Sequence, residues 1–356
     1  MLRITLQPRW HIGQDGGLAL DANTLLQLLA AVQASGSIAQ AGRELGLSYR
    51  HAWGLLQQAE QLFGQALLVR GRGQGSALTE LGTKLIWADA RIGARLQPLL
   101  ESLASELEGE LGRVQRRQRA VPRLHASHGF AVAALREQLA ARQVAVELRY
   151  RNSLEAVAAL SQGDCELAGF HVPLGEFEAA AAQRFLAWLK RDQHLLVHLA
   201  VRTQGLFCAA GNPKGIQGLH DLRRRSLRFV NRPEGSGTRV LTELLLQRHG
   251  IEARTVAGFD NTELTHAGVA AYVASGMADV GIGVQTAADR FGLHFIPLLK
   301  ERYFFAMPPD AMERSELRPV LAVLRSPAFR ARVAALRGYE AANTGQVMAV
   351  AEAFAG

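Results

Sequence analysis

Apolar residues repeat at three- and four-residue spacing through the first third of the chain, which is the period of amphipathic helices. Residues 21–36, DANTLLQLLAAVQASG, show this pattern behind Asp21, a residue type that caps helices, and stop at Gly36. A second short helix is predicted from Ser37, and a third is predicted from Ser48. The pattern therefore predicts three consecutive helices that are joined by short turns.

The third predicted helix begins with polar, basic and aromatic residues. Its apolar positions from Ala52 to Leu62 form one face, which leaves the sequence SYRH at the exposed N-terminal end. A support helix, a tight turn and a helix that starts with hydrogen-bonding side chains are typical of a helix-turn-helix that enters the DNA major groove. A simple helical corner is the alternative. The candidate DNA contacts here are Ser37, Ser48, Tyr49, Arg50 and His51.

A hairpin wing is predicted after these helices. Residues 67–82, LLVRGRGQGSALTELG, run from a short apolar strand into a basic, glycine-rich loop. Arg70 and Arg72 would lie near the tip of the hairpin, where they would contact DNA phosphates. A surface loop without a DNA role is the alternative.

A long helix is predicted after the wing, because apolar residues recur at three- and four-residue steps from Leu81 to Leu103. Such a row is typical of a helix that packs on a partner helix, so we expect a homodimer or a tetramer that presents paired reading heads to a symmetric operator. Packing within its own domain is the alternative. Pro98 is expected to bend or restart this helix. We place the DNA-binding domain and dimerisation helix at 1–110 and a charged linker at 111–122.

Short β-like runs alternate with helices from about residue 124, which predicts an α/β domain with parallel strands over 123–356. Ligands bind beyond the carboxyl ends of such strands, where helix N-termini favour anions. The polar residues expected at these strand ends are Ser127, Asn152, Ser153 and His171.

The loop NRPEGSGTR, residues 231–239, carries several groups that bind anions. Its glycines allow the backbone to approach a ligand, while its hydroxyls and guanidiniums donate hydrogen bonds. It has neither a Walker sequence nor a dinucleotide fingerprint. A glycine turn that only caps a helix is the alternative. His266, before a later helix, is expected either to contact the ligand or to cap that helix. The candidate residues of the loop are Arg232, Gly235, Ser236, Gly237, Thr238 and Arg239.

Composition narrows the class of protein. A chain of 356 residues with 48% hydrophobic residues is long enough for two or three domains, and its formal charge of +8 favours anionic partners. No apolar run approaches the length of a membrane span, the first residues lack a signal-peptide core, and two cysteines cannot form a disulfide framework, so we expect a cytoplasmic protein with no membrane partner. No nucleophile–base pair or carboxylate metal site is evident, so we expect neither an enzyme nor a metal protein.

The first half resembles a known family. The stretch GSIAQAGRELGLSYRHAWGLLQQAEQLFGQALLVRGRGQGSALTELG is similar to the winged helix of the ModE family of molybdate-responsive repressors, which is close to LysR-type regulators. This resemblance spans about residues 20–110 and implies a dimeric transcription factor. That family also has molybdate-binding β-barrel modules, and no part of this sequence after residue 120 resembles them.

The second half, from about 122 to 340, resembles the periplasmic-binding-protein-like domain through VNRPEGSGTR, THAGVAAYVASGMADVGIGV and FIPLLKERYFFAM. The resemblance implies two lobes that close on a ligand, lobe I at 123–202 and 301–356 and lobe II at 203–300. It also implies a cleft at the positions already named on the strand ends, the loop and His266.

The sequence as a whole predicts a multidomain protein, a mainly α-helical winged helix-turn-helix with a long dimerisation helix followed by a two-lobed α/β domain. We expect a ligand-responsive transcriptional regulator of molybdenum- or tungsten-related genes. It would bind a DNA operator and a small oxyanion effector, molybdate or tungstate, through hydrogen bonds without a metal or cofactor. The alternatives are a LysR-like regulator that responds to a small carboxylate such as formate, or a protein of molybdenum-cofactor biosynthesis.

Overall fold

The computed structural model describes residues 3–13, 19–70, 75–115 and 121–354. The chain divides into two units: residues 7–93 form the first, and residues 1–6 with 94–356 form the second.

The described residues of the first unit form three complete helices, the start of a fourth, and two pairs of short antiparallel strands. Its elements are β1 (His11–Gly13), β2 (Ala19–Asp21), α1 (Ala22–Ser35), α2 (Ile38–Glu44), α3 (Tyr49–Phe63), β3 (Leu68–Arg70), β4 (Ser76–Leu78) and the start of α4 (Glu80–Gln115). The side chains of Asp21, Ser37 and Ser48 cap α1, α2 and α3 by accepting backbone N–H groups. Gly36 ends α1 at φ +68°, which favours glycine. The helices predicted from the periodicity and the predicted hairpin wing are all present.

Apolar side chains from all three helices form the core of this unit. Leu25, Leu28 and Leu29 of α1 pack with Leu56 of α3 and with Leu67, which precedes the wing. This packing buries the apolar face of α3 and leaves its N-terminal residues in solvent.

Helix α4 is continuous from Glu80 to Gln115, so it crosses the boundary between the units at residues 93 and 94. It contains Pro98 without interruption, and the prediction that the helix restarts there is wrong. The linker predicted at 111–122 is wrong for residues 111–115, because Leu111 and Val114 continue the apolar row of the helix. Residues 116–120 lie outside the described part of the chain.

The second unit is built on one nine-stranded sheet. Its elements up to the long strand β8 are β5 (Arg123–Ala126), α5 (Phe130–Ala141), β6 (Glu147–Tyr150), α6 (Ser153–Ser161), β7 (Leu167–Pro173), α7 (Glu178–Leu186) and β8 (Leu195–Cys208). Those that follow are β9 (Phe229–Val230), α8 (Gly237–Arg248), α9 (His266–Ala274), β10 (Val280–Val284), α10 (Gln285–Arg290), β11 (His294–Met307), α11 (Arg318–Leu324), α12 (Pro327–Ala334), β12 (Tyr339–Glu340), β13 (Val347–Ala349) and α13 (Val350–Ala353).

The strand order is β6-β5-β7-β11-β8-β10-β9, and β12 and β13 also pair with β8. The sheet is mixed rather than fully parallel as predicted. The pairs β5–β6, β5–β7 and β9–β10 are parallel, whereas β11 runs antiparallel to both β7 and β8. The difference arises because β8 and β11 are long strands that pass directly from one part of the sheet to the other.

Strands β8 and β11 join lobe I to lobe II. The half of β11 from Glu301 onward pairs with β7 of lobe I, whereas residues 204–208 of β8 pair with β10 of lobe II. Arg202 and Glu301 are cross-strand partners where the two halves meet. Both side chains are buried, and Arg202 Nε lies 2.5 Å from Glu301 Oε1. Burial alone would lower the pKa of Arg202, but Glu301 raises this pKa above its ordinary value and keeps the guanidinium charged.

We expect replacement of Glu301 by leucine to lower the free energy of unfolding by about 3–5 kcal/mol, because it leaves Arg202 buried without its counter-charge. Urea unfolding followed by circular dichroism would measure this loss. The double variant Arg202→Met with Glu301→Leu is expected to recover most of it. The control is Glu252→Ala, which breaks the exposed ion pair with Arg254 and should cost less than about 1 kcal/mol. Similar losses in Glu301→Leu and Glu252→Ala would contradict the structural importance of the buried pair.

Candidate functional site

The second unit contains a cavity of about 580 Å³. Its walls come from the loops after β5 and β6, from β7, from the loop between β9 and α8, from the segment before α9, and from the C-terminal half of α4. Residues that are far apart in sequence therefore meet around one space. The predicted residues that line it are Ser127, Asn152, His171, Arg232, Ser236, Gly237, Thr238 and His266.

His171 connects two predicted serines. Its Nε2 lies 3.2 Å from the Ser127 hydroxyl, and its Nδ1 lies 3.1 Å from the Ser153 hydroxyl. Burial, together with the nearby Arg202 and Arg232, lowers the pKa of His171 well below its ordinary value. The ring is therefore neutral near pH 7, so it donates to one serine and accepts from the other. Ser153 acts on the cavity through His171 rather than as part of its lining.

Arg232 is the main charged group of the inner wall. Its Nη2 donates a hydrogen bond of 2.7 Å to the carbonyl of Leu264, and its Nε has no hydrogen-bond partner among the residues that the structure describes. Burial, and then the positive charge of Arg202, lowers the pKa of Arg232 to about 9. The group remains a cation at neutral pH, and no carboxylate forms an ion pair with it in the described part of the chain. An anion in the cavity would supply the missing counter-charge.

The loop between β9 and α8 is shaped for close approach. Gly235 has φ +79°, a conformation that side chains oppose. Ser236 caps α8 by accepting the backbone N–H of Arg239, and the first N–H groups of α8 have no partner within the helix. The Thr238 hydroxyl accepts a hydrogen bond of 3.0 Å from Gln204 Nε2. The loop therefore presents a helix N-terminus to the cavity, a position that favours anions.

His266 begins α9, but Thr265 provides the cap, since its hydroxyl accepts the N–H of Gly268 at 2.8 Å. His266 is buried, and its Nδ1 has no hydrogen-bond partner in the described part of the chain. Burial and nearby Arg232 lower its pKa well below the ordinary value. A Cβ at Gly283 would lie 2.9 Å from that nitrogen, so glycine there makes room for the ring. Of the two predicted roles, capping is wrong, and the ring lines the cavity.

Two predicted residues need correction. Arg239 is turned away from the cavity: its Nε binds Glu243 Oε1 at 2.8 Å, and its guanidinium stacks 4.0 Å from the centre of the Phe259 ring. The spacing of one helical turn to Glu243 explains this orientation. Gly235 lies outside the lining and packs on Asn152, whose Nδ2 would lie 3.0 Å from a Cβ at Gly235.

Several lining residues were not predicted from the sequence. Arg202 lies inside a long strand, and Tyr150 has no motif around it, whereas His128 belongs to the strand end that was predicted at Ser127. Leu99 and Leu103 of α4 also line the cavity, whereas the sequence pattern assigns them to a helix–helix seam. Only the tertiary fold places these residues beside Arg232.

The first unit presents the predicted reading residues at the start of α3. Tyr49, Arg50 and His51 are exposed, and the Tyr49 ring stacks along the helix on Trp53. The hydroxyls of Ser48 and Ser37 already accept helix N–H groups, so their structural role is capping. The backbone of Arg70 ends β3, but its side chain and all of Arg72 lie outside the described residues.

The described ranges contain no group of three or more histidine, cysteine, aspartate or glutamate side chains that could hold a metal ion. They also contain no helix that is long and apolar enough to span a membrane.

Comparison with known proteins gives two family matches. Residues 24–83 match the bacterial regulatory helix-turn-helix protein, lysR family. Residues 133–325 match the PBP superfamily domain, which covers more than half of the chain. The first match contains the three helices and the wing, and the second contains most of the cavity wall.

Three curated relatives are similar to parts of the chain. The uncharacterized protein YvgK of Bacillus subtilis is 34% identical over 205 residues, which is 56% of this chain and 64% of that protein. The molybdenum-pterin-binding protein MopB of Rhodobacter capsulatus is 39% identical over 84 residues, 22% of this chain and 31% of MopB. The molybdenum transport protein ModE of Azotobacter vinelandii is 32% identical over 108 residues, 29% of this chain and 40% of ModE. The chain thus spans less than two thirds of the length of each of these relatives.

Among solved structures, the chain is similar to the OxyR C206 mutant of Corynebacterium glutamicum, with 15% identity and a TM-score of 0.40 over 87% of this chain and 92% of that one. The two family matches agree with the two units and with the resemblance found in the sequence. The chain therefore belongs to the PBP superfamily domain family, and it carries a LysR-type helix-turn-helix domain in front of that domain.

Proposed function

We propose that this protein is a DNA-binding transcriptional regulator that responds to an anionic effector. The observation that carries the proposal is the buried Arg232 guanidinium, which faces a cavity with one nitrogen unpaired in a chain that also has a LysR-type helix-turn-helix. Leaving a charge buried without a partner is costly, so its presence beside a cavity favours a ligand of opposite charge. A DNA-binding regulator of this kind would act in the cytoplasm.

The DNA-binding part of the proposal rests on α3. Its exposed N-terminal residues combine a guanidinium, an aromatic hydroxyl and an imidazole, and such side chains contact base edges and phosphates in the major groove. Arg50 is the residue best suited to a guanine edge, since its fork of donors matches the two acceptors there.

For the effector, we propose a small oxyanion, with molybdate and tungstate as the first candidates. The innermost groups supply hydrogen-bond donors: the Arg232 guanidinium, the N-terminus of α8 and the hydroxyls around His171. An unprotonated oxyanion needs donors alone, whereas a protonated phosphate benefits from an acceptor. The names of MopB and ModE, both of which refer to molybdenum, support the same choice. A small carboxylate such as formate is the second candidate, because the planar fork of Arg232 also matches a carboxylate.

We further propose a homodimer formed through α4. Leu107 and Leu111 of this helix are exposed, and Val114 is 82% exposed, although all three continue its apolar row. A row of uncovered apolar residues along one helix face is typical of a helix that packs on a second copy.

Binding of the effector and binding of DNA would be coupled through α4. In lobe I, the Ser102 and Ser105 hydroxyls of α4 accept the backbone N–H groups of Tyr150 and Leu148. Arg95 of α4 forms an ion pair with lobe II, since its Nε lies 2.9 Å from Glu263 Oε2. An effector that contacts both lobes would therefore act directly on the helix that continues into the first unit, so both ligands would bias one equilibrium.

The first prediction concerns DNA. Arg50→Ala is expected to weaken binding to an operator selected from a random duplex library by about 1–3 kcal/mol, since it removes a base or phosphate contact. Fluorescence anisotropy over a series of salt concentrations would measure both affinity and salt dependence. Arg191→Ala, which removes an equal charge from an exposed site in the second unit, should leave the affinity unchanged. Wild-type binding that does not weaken as salt rises would contradict DNA recognition.

The second prediction concerns the effector. Molybdate or tungstate at about one hundred times its Kd is expected to raise the melting temperature of the second unit by about 5–10 °C. A thermal-shift series with sulfate, phosphate and formate would rank the anions. Arg232→Met should abolish the shift, whereas Arg239→Met, whose side chain lies outside the cavity, should retain it. Loss of the shift in both variants, or in neither, would contradict the assignment of Arg232.

The third prediction concerns assembly. Leu107→Lys combined with Leu111→Lys is expected to convert a dimer into monomers, because it places two charges on the uncovered apolar row. Sedimentation velocity would report the change. Gln97→Lys, a charge at an exposed position of the same helix outside the row, is the control. An unchanged sedimentation coefficient in the double variant would exclude α4 as the interface.

A further inference from the structure

We infer that the effector is an organic anion, in which an oxyanion head group is joined to an apolar ring, rather than a bare inorganic ion. This inference rests on the proposed response to an anion, keeps the oxyanion head group, and replaces the inorganic candidates molybdate and tungstate by an organic ligand. The head would bind Arg232 and the N-terminus of α8, and the ring would lie beneath α4. Three features of the cavity carry the inference: its volume, the exposed leucines on its wall, and the contacts that fix the lining part of α4 to both lobes.

The cavity is large although the two lobes already touch. Asn152 of lobe I lies close to Gly235 of lobe II: a Cβ atom on Gly235 would be only 3.0 Å from Nδ2 of Asn152. A Cβ at Gly237 would likewise lie 3.4 Å from His171 Nδ1. The inner end of the cleft therefore has little room to narrow further. Even so, about 580 Å³ remains open, the volume of roughly twenty water molecules.

That volume exceeds what a tetrahedral ion of five heavy atoms can fill. Cavities of about 300–1,000 Å³ are typical of sites for organic ligands, which bury most of their surface. A bare ion bound at Arg232 would leave most of this space to water.

The wall carries apolar side chains beside charged ones, which outside the inner part are Glu106, Arg149, Arg151, Glu155 and Glu234. The inner part carries Arg232, the Ser127–His171 pair and the N-terminus of α8. Leu99 and Leu103 of α4 and Leu264 of lobe II line the same cavity, and these leucines are 57%, 43% and 54% exposed. Large apolar side chains that stay uncovered inside a concave site are typical of a surface that a ligand covers. Leu264 lies outside α4, so a dimer interface formed by that helix does not explain why the Leu264 side chain is exposed.

An aromatic pair lies on the same wall. The rings of His128 and Tyr150 line the cavity and meet edge to face, with their centres 4.9 Å apart. Burial lowers the pKa of His128 to about 4, so its imidazole is neutral at pH 7. Neutral aromatic edges and faces are suited to contact with a ring of the ligand.

The part of α4 that lines the cavity is bound to both lobes. In addition to the Ser102 and Ser105 contacts with lobe I and the Arg95–Glu263 ion pair, the Thr265 hydroxyl donates a hydrogen bond of 3.2 Å to the carbonyl of Ala94. Leu264 lies between Glu263 and Thr265, so the segment that binds α4 also supplies an apolar contact to the cavity. The apolar space is therefore part of a fixed binding site.

The experiment compares each head group alone with the same head group on a phenyl ring. Isothermal titration calorimetry of the full chain would use three pairs: inorganic phosphate and phenyl phosphate, sulfate and phenyl sulfate, formate and benzoate. We expect the phenyl compound to bind at least about tenfold more tightly in one or more pairs, since it buries the exposed leucines. Molybdate and tungstate are titrated in parallel.

Variants separate the two ends of the site. Leu264→Ser should weaken the phenyl compound about tenfold and leave the matching inorganic anion unchanged. Met277→Ser, an exposed apolar residue of the same lobe outside the cavity lining, should alter neither. Arg232→Met should abolish binding of both members of the pair. Circular dichroism would verify that each variant is folded.

The outcomes distinguish this inference from the proposed function. Equal affinity within all three pairs, or tight binding of molybdate or tungstate together with weak binding of every phenyl compound, would overturn the inference and leave an anion-responsive regulator intact. Failure of every anion to bind the wild-type protein would overturn both. A phenyl preference that Leu264→Ser leaves unchanged would also contradict the inference, because the ring would then lie elsewhere.

Discussion

The buried ion pair between Arg202 and Glu301 is the interaction on which the second unit depends. It lies where β8 and β11 pass between the lobes, and each charge is held by the other across the two strands. Gln204 Nε2 adds a donor to the same Glu301 oxygen at 2.9 Å and a second contact to Thr238. The pair therefore joins the strands that connect the lobes to the first turn of α8, which faces the cavity.

The same pair determines the electrostatics of the site. The carboxylate of Glu301 neutralises the charge of Arg202, whereas no carboxylate among the described residues forms an ion pair with Arg232. The histidines nearby are kept neutral by burial and by these guanidiniums, so they act as hydrogen-bonding groups rather than as charges. Arg232 consequently places a positive charge without an ion-pair partner in the buried part of the wall, and this charge is the physical basis of the proposed preference for an anion.

Helix α4 has a place in each part of the proposed function. Its exposed row beyond Leu103 is suited to a second copy of the chain, and its residues around Leu99 close the cavity. Because the hydrogen bonds and ion pairs of this helix involve both lobes, a ligand that fills the cavity changes the surroundings of the same helix that continues into the DNA-binding unit. Dimer formation, effector binding and DNA binding would then share one structural element.

Local patterns in the sequence were sufficient for most elements and for part of the site. The helices of the first unit follow from apolar spacing and caps such as Ser48, and the loop proposed to bind an anion follows from the residue types around Gly235, because these signals act over a few neighbouring positions. The mixed sheet, the inclusion of Leu99 in the cavity wall and the orientation of Arg239 away from it were decided by the tertiary structure. Strand pairing, helix packing and the choice between competing partners depend on residues that are distant in sequence, and no local pattern records them.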